Sequence, residues 1–250
     1  MAANVPGSIG GMFPFPGFAP GARPEPPPEP AADLLFTPFR LGGVEISNRI
    51  AMAPMGTGLA SPRGRPTERL IAWYAARAAG GTGLVIVEGT QVLPFPEGEG
   101  RAVARKRLAL AEDGAVPGFR RLAMAIRRAG AQAAIQLTHT VRSAGEANAL
   151  ALADLAAIVQ AFGTAARRAS AAGFEAVEIQ ASYGSVLAQL LSPVSNRRRG
   201  RYGRSPEGRL RALLEAVQAV RAAVRPDFPV LVRLSADEYL SGGTTPEQVV

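Results

Sequence analysis

The stretch GLVIVEG, residues 83–89, holds four apolar residues in succession, two of them valine and one isoleucine. A strand with one wet face alternates apolar and polar side chains, whereas an unbroken β-branched run belongs to a strand buried on both faces, as in a parallel sheet covered by helices. The flanks agree with that reading. Upstream, RIAMAPM (49–55) is a first strand, and Thr67 caps a helix whose Leu70, Trp73 and Tyr74 share one side. Downstream, a helix over 118–129 aligns Phe119, Leu122 and Ile126, and AQAAIQLTH (131–139) is a third strand.

The alternation continues to the end of the chain. Asp154 is expected to cap a long helix with Leu155, Ile158, Val159 and Phe162 along one stripe, stopping at Gly173. A fourth strand lies in AVEIQASYGS (176–185). Ser205 and Pro206 open a helix whose stripe is Leu210, Leu213, Leu214, Val217 and Val220, and PVLVRLSAD (229–237) is the fifth strand. Strict βα alternation implies a parallel α/β fold, either a doubly wound sheet or a (β/α)8 barrel. The polar residues that end successive strands, Gly56 and Thr57, Glu88, Gln136 and His139, Gln180 and Tyr183, Arg233 and Asp237, are what the mouth of a barrel requires. After strand five, GGTTPEQVV starts one more helix, with Thr245 as cap, Pro246 first and Gln248 third. The sequence reads as about the first five βα units of something larger.

Residues 1–32 are of another kind. MFPFPGFAPGARPEPPPEP, within that segment, is rich in Pro and Gly without a period, so the expected organisation is a disordered tail over 1–32 and one domain over 33–250. The tail lacks the basic start and apolar run of a signal peptide, and no segment is apolar enough to span a bilayer, which gives a cytoplasmic location with no membrane partner as the expectation. Cysteine is absent, which excludes disulfides, thiolate metal sites and a Cys nucleophile within these residues. The net charge of +8 comes almost wholly from arginine, with Lys106 the only lysine. Arg120, Arg121, Arg127 and Arg128, then Arg167 and Arg168, fall opposite apolar stripes, where solvated helix faces account for them, so no nucleic-acid partner is expected.

The chemistry must come from few groups. His139 is the sole histidine, so no His-rich metal site can form and the metal expectation is none. The glycines of GGTGLVIVEG precede the strand instead of following it, and read as a turn, not a phosphate cradle. Nothing around Ser61, Ser143 or Ser182 resembles a nucleophile elbow.

In order along the chain, LFTPFRLGGVEISNRIAMAPMGT, GLVIVEGT, QLTH followed by Arg142, GFEAVEIQASYGSVLAQLLSPVSNRRRGRYGRSPEGR and PVLVRLSADE resemble the old yellow enzyme family of NADH:flavin oxidoreductases. The likeness is to its 2,4-dienoyl-CoA reductase branch. It implies an FMN-binding (β/α)8 barrel that passes hydride from NAD(P)H through FMN to an activated alkene of enone or enoyl type. By the same resemblance Pro54, Met55 and Gly56 lie along the flavin, and Gly89 approaches the ring where a side chain would intrude. Gln136 bonds the pyrimidine edge, and Arg233 sits near N1 and O2, where a guanidinium stabilises the anionic reduced ring. The run Arg197–Arg199 falls in a family loop that includes Asn196 and Tyr202, which gives it a structural role.

The family usually ends strand four with a His and, three residues on, a His or Asn that grips the substrate carbonyl, with a Tyr two further along as proton donor. Here those positions are Gln180, Tyr183 and Ser185, which become the candidate catalytic residues. Gln and Tyr can donate to a carbonyl without being cationic, and Ser is a much weaker acid than Tyr. The link from Arg142 to Asp154 is short, and the strands that supply most of the family's FMN phosphate site lie past Val250. A second reading follows, a truncated and catalytically impaired barrel acting as a binding or assembly subunit in a homo-oligomer or beside a complementing chain.

Overall fold

The computed structural model describes residues 34–95, 106–141, 143 and 145–249; the expected tail and Arg142 lie outside them. A hairpin comes first, β1 (Phe39–Leu41) antiparallel to β2 (Val44–Ile46). The repeating units follow: β3 (Ala51–Met52), α1 (Glu68–Ala79), β4 (Leu84–Gln91), α2 (Val116–Arg128), β5 (Gln132–Thr138), α3 (Leu152–Ala171), β6 (Ala176–Ala181), α4 (Val186–Leu191), α5 (Pro206–Ala223), β7 (Val230–Leu234) and α6 (Pro246–Val249). Strands β3 to β7 form one parallel sheet in strictly sequential order. A doubly wound sheet reverses its strand order at a switch point, and this one does not. The sequential course is that of a TIM-type barrel through its first five units.

The run Leu84–Val87 is buried throughout because its two faces meet different partners. Val85 and Val87 join Ile135, Leu137, Val177 and Ile179 in the main core beneath the helices, with Tyr74, Phe119, Leu122, Ile126 and Phe162. Leu84 and Ile86 point the other way, into a small cluster with Ala134, Ala176 and the hairpin residues Val44 and Ile46. The hairpin thus closes the amino-terminal end of the sheet's inner face. Full burial of each such aliphatic side chain is worth about 1.5–3 kcal/mol.

Several expected boundaries move, each for a local reason. The first strand is two residues long, since Pro54 has no N–H to give a ladder and the chain leaves the sheet before it. Asp154 is the third residue of α3 and not its cap; its Oδ2 accepts from the Ala151 N–H at 2.9 Å and steadies the first turn from inside. In α5 the buried positions are Gly208, Ala212, Leu213, Ala216 and Val220, while Leu210 and Leu214 are exposed. The helix has turned its small residues inward because it packs closely on α3, where a Cβ on Gly163 would lie 2.7 Å from the Ala219 carbonyl oxygen. Thr67 and Ser205 cap α1 and α5 as expected, accepting from Leu70 N and Gly208 N. Among the described residues no helix is long and apolar enough to cross a membrane.

Candidate active site at the carboxyl ends of the strands

The inner face of the sheet changes character along its length. Moving up from the apolar plug, Ala134 is followed by Gln136 and Thr138, Ala176 by Glu178 and Gln180, and Leu231 by Arg233, each step keeping the two-residue period of one strand face. In β4 the step needs a bulge. Val87 pairs with Ile135 and Thr90 with Leu137, so residues 88 and 89 together oppose Gln136 alone. The extra residue brings Gly89 onto the inner face. A Cβ there would lie 3.1 Å from Gln136 Oε1 and 3.5 Å from Gln180 Oε1, so any side chain would fill the space between the two amides.

The bulge sends Glu88 elsewhere. Its Oε2 accepts the Thr57 N–H at 2.7 Å, and its own N–H donates to the Tyr74 hydroxyl at 2.7 Å. This buried carboxyl ties the loop after β3 to α1. Burial raises its pKa above the ordinary carboxylate value, and burial likewise pushes the Tyr74 phenol up.

Glu178 organises the centre. Register sets Gln136 opposite Glu178 and Gln180 opposite Arg233. The carboxylate accepts from Gln136 Nε2 at 2.7 Å and from Arg233 Nε and Nη2 at 2.8 and 3.0 Å. Hydrogen bonding to Glu178 raises the Arg233 pKa further, so the guanidinium stays charged. Because Gln136 spends its N–H on a carboxylate, its Oε1 is fixed as the acceptor turned towards Gly89.

A cleft of about 480 Å3 runs over these groups, lined by Pro54, Gly56, Glu88, Gly89, Gln136 and Gln180, with Thr138, Thr140, Lys106, Arg107, Gly58 and Tyr183 around them. Of the residues singled out in the sequence, Pro54, Gly56, Gly89, Gln136, Gln180 and Tyr183 come together here. Met55, half exposed, and Arg233, held by Glu178, do not line it. Ser185 does not line the cleft. Its side chain is buried, its Oγ donates to Gln180 O at 3.1 Å and accepts from Ala188 N at 3.3 Å, and it is the N-cap of α4. Tyr183, by contrast, is 86% exposed and has a left-handed backbone with φ of 52°, followed by Gly184 at 71°. A non-glycine residue there costs about 1 kcal/mol, which the turn into α4 imposes.

A separate cleft lies on the far side of Tyr183, walled by Leu191, Leu210 and Leu234; neither Gly89, Gln136 nor Gln180 reaches it. The loop expected to be structural is so: Asn196 Nδ2 donates to Leu190 O and Tyr202 O, and Arg198 Nη1 to the carbonyls of Ala147, Asn148 and Leu150. Sequence reasoning gave no role to Glu178 or Thr138. The signal was parity, since Glu178 shares a face with Gln180, and Thr138 with Gln136.

The residues suit a flavin. Its pyrimidine ring offers an imide N–H flanked by two carbonyls, and the inner face offers the fixed Oε1 acceptor of Gln136, the Arg233 guanidinium beside it on Glu178, and open space at Gly89 that a Cβ would enter. The Thr138 Oγ1 on the same wall is buried and lacks a hydrogen-bond partner among the described residues.

Comparison with known proteins gives the same answer. The family model described as NADH:flavin oxidoreductase / NADH oxidase matches residues 34–152 and 142–249. An NADH oxidase of Thermoanaerobacter brockii is 36% identical over 236 residues, covering 86% of this chain and 36% of that protein. An NADPH dehydrogenase of a Geobacillus species, strain WCH70, is 37% identical over 236 residues, covering 87% of this chain and 67% of that protein. The solved old yellow enzyme homologue of Zymomonas mobilis superposes with a TM-score of 0.72 at 27% identity, covering 86% of this chain and 67% of its own. This chain therefore spans from about a third to two thirds of the length of such relatives, and it belongs to the NADH:flavin oxidoreductase / NADH oxidase family, to which the old yellow enzymes belong.

Proposed function

We propose that this chain carries the flavin-facing half of an FMN-dependent NAD(P)H oxidoreductase acting on an activated alkene. The observation that carries the reading is the convergence of Gly89, Gln136 and Gln180 over the Glu178–Arg233 pair, in a chain of this family. FMN, when bound, supplies the relay of a hydride from NAD(P)H to the alkene. Gln136 would accept from the imide N–H, and Arg233 would set positive charge near the pyrimidine carbonyls, where the reduced ring carries negative charge. Pro54 and Gly56 would lay backbone along the ring, with Met55 between them turned outward from the cleft, and Glu88 holds that segment down through the Thr57 N–H.

The substrate carbonyl takes hydrogen bonds from the Gln180 amide and the Tyr183 hydroxyl, which withdraw electron density from the alkene. Tyr183, standing in solvent, gives its phenolic proton to the alkene carbon that the hydride does not take and recovers one from water. Ser185 acts through its neighbours, fixing the turn that presents Tyr183.

The test is direct. Protein refolded or purified with excess FMN and then desalted should keep the flavin absorbance, bleach with NADH or NADPH in the absence of oxygen, and recover on addition of cyclohex-2-enone. Retained flavin that neither nucleotide bleaches would reject the reading, as would no retained flavin at all.

A further inference from the structure

Resting on that reading, we propose that Lys106 and Arg107 form an anion-recognising edge of the cleft, so that the preferred acceptor carries a carboxylate or phosphate besides its activated alkene. Both side chains line the same cleft as Gln136, Gln180 and Tyr183. Among the described residues the ionisable groups lining it are Glu88, Tyr183 and these two cations, and Glu88 is buried and committed to the Thr57 N–H. Among the described residues neither Lys106 nor Arg107 is in a salt bridge, whereas Arg65, Arg121, Arg168, Arg201 and Arg225 each pair with a carboxylate. Two cations without a carboxylate partner among the described residues, at the rim of a concave site, give it a positive field that Glu88 does not cancel.

The pair is also positioned. Arg107 Nη1 donates to Thr140 Oγ1 at 2.6 Å, the same oxygen that accepts from Gln91 Nε2, while Gln91 Oε1 accepts from the Thr140 N–H at 3.2 Å. Thr140 forms an isolated bridge with Ser185, the residue that supports Gln180 and the turn at Tyr183. One N–H of a guanidinium with five is used to hold it, and the fork remains for a planar anion. The Lys106 stem runs beside the loop after β3, with Cδ 3.7 Å from where a Cβ on Gly58 would sit. A carbonyl at Gln180 and Tyr183 and an acid at Lys106 and Arg107 describe a bifunctional acceptor. Its alkene takes a hydride on one carbon and a proton on the other, while NAD(P)H leaves as NAD(P)+.

Monomethyl and dimethyl fumarate present the same alkene with and without a negative charge. With the FMN-loaded protein, the ratio of kcat/KM for the monoanion over the diester should fall about tenfold in Lys106→Ala combined with Arg107→Gln, where Gln keeps a donor for Thr140. The Kd of monomethyl fumarate by titration calorimetry should rise by a similar factor, and salt at ~1 M, where the Debye length is ~3 Å, should erase the wild-type preference. A ratio unchanged by the double substitution overturns the inference. So does a variant whose loss falls only on the rate of bleaching by NADPH relative to NADH, since the cations then serve the phosphate of the hydride donor. If the wild-type protein reduces dimethyl fumarate without favouring the monoanion, only this inference falls; if it binds neither flavin nor fumarate, the functional reading falls with it.

Discussion

Glu178 and Arg233 meet through two hydrogen bonds, Nε at 2.8 Å and Nη2 at 3.0 Å, on adjacent strands and two residues apart in register. The carboxylate is buried and also fixes the Gln136 amide. Glu178→Ala leaves a part-buried guanidinium without its counter-charge and frees Gln136 to rotate. Loss of one partner of a buried pair costs about 3–5 kcal/mol, and partial exposure of Arg233 lowers that to roughly 2–3 kcal/mol. The urea midpoint should drop accordingly, and flavin affinity, read by quenching of flavin fluorescence, should fall at least tenfold; Glu178→Gln should lie between. Wild-type flavin affinity in Glu178→Ala would show that Gln136 and Arg233 do not depend on it.

The buried carboxyl of Glu88 gives a pH dependence with a definite sign. Its pKa in the folded chain is raised above the unfolded value of 4.5, chiefly by desolvation. The folded state therefore holds its proton more tightly, and its contribution to stability is full below pH 4.5 and is lost as pH rises through the folded pKa. Glu88→Gln keeps an acceptor for the Thr57 N–H and removes the titration. The variant should gain stability relative to wild type as pH rises from 4.5 to 7.5, by urea unfolding at several values. A difference that is flat or shrinks over that range refutes the assignment.

The legible parts of the fold are those in which local and long-range demands agree. Leu84–Val87 reads as a doubly buried strand because both faces find apolar partners, and Thr67 and Ser205 read as caps because their hydroxyls meet the expected N–H groups. The α5 stripe misled because hydrophobicity favours Leu210 and Leu214, whereas close packing on α3 favours Ala212 and Ala216. The bulge at Glu88 and Gly89 leaves no trace in composition, since it is a matter of register with β5. Ser185 looked catalytic by position, yet it stands just before the apolar run of α4, the ordinary place for a cap.

Burial separates two neighbouring hydroxyls, Ser185 inside the turn and Tyr183 in solvent. Ser185→Ala removes the α4 cap and should cost about 1 kcal/mol of stability, with only a small change in kcat. Tyr183→Phe touches no described hydrogen bond and keeps the backbone turn, so its melting temperature should stay within a degree or two while kcat for alkene reduction falls roughly 10- to 100-fold, within the range of a lost general acid. Stopped-flow separation of the two half-reactions would locate the loss in the alkene step and leave bleaching by NAD(P)H alone. The reverse pattern, with Ser185→Ala inactive and Tyr183→Phe unaffected, would restore Ser185 as the donor.

Gly89→Ala tests the flavin cradle without touching a charge. The new Cβ would sit 3.1 Å from Gln136 Oε1, a contact the amide can relieve by a few tenths of an ångström, and 3.4 Å from Thr138 Cγ2, an ordinary distance. Gly89 is not among the residues with positive φ, so the backbone accepts alanine without strain. Stability should change by less than about 1 kcal/mol, as for an uncrowded substitution. The cost should appear instead in the cofactor, because the methyl group occupies the space between the two amides and displaces Gln136 from the line of its acceptor. Flavin affinity should fall about 10- to 100-fold while the circular dichroism and urea midpoint stay near wild type. Loss of fold together with flavin would mean that Gly89 serves packing, and unchanged affinity would move the flavin away from this face.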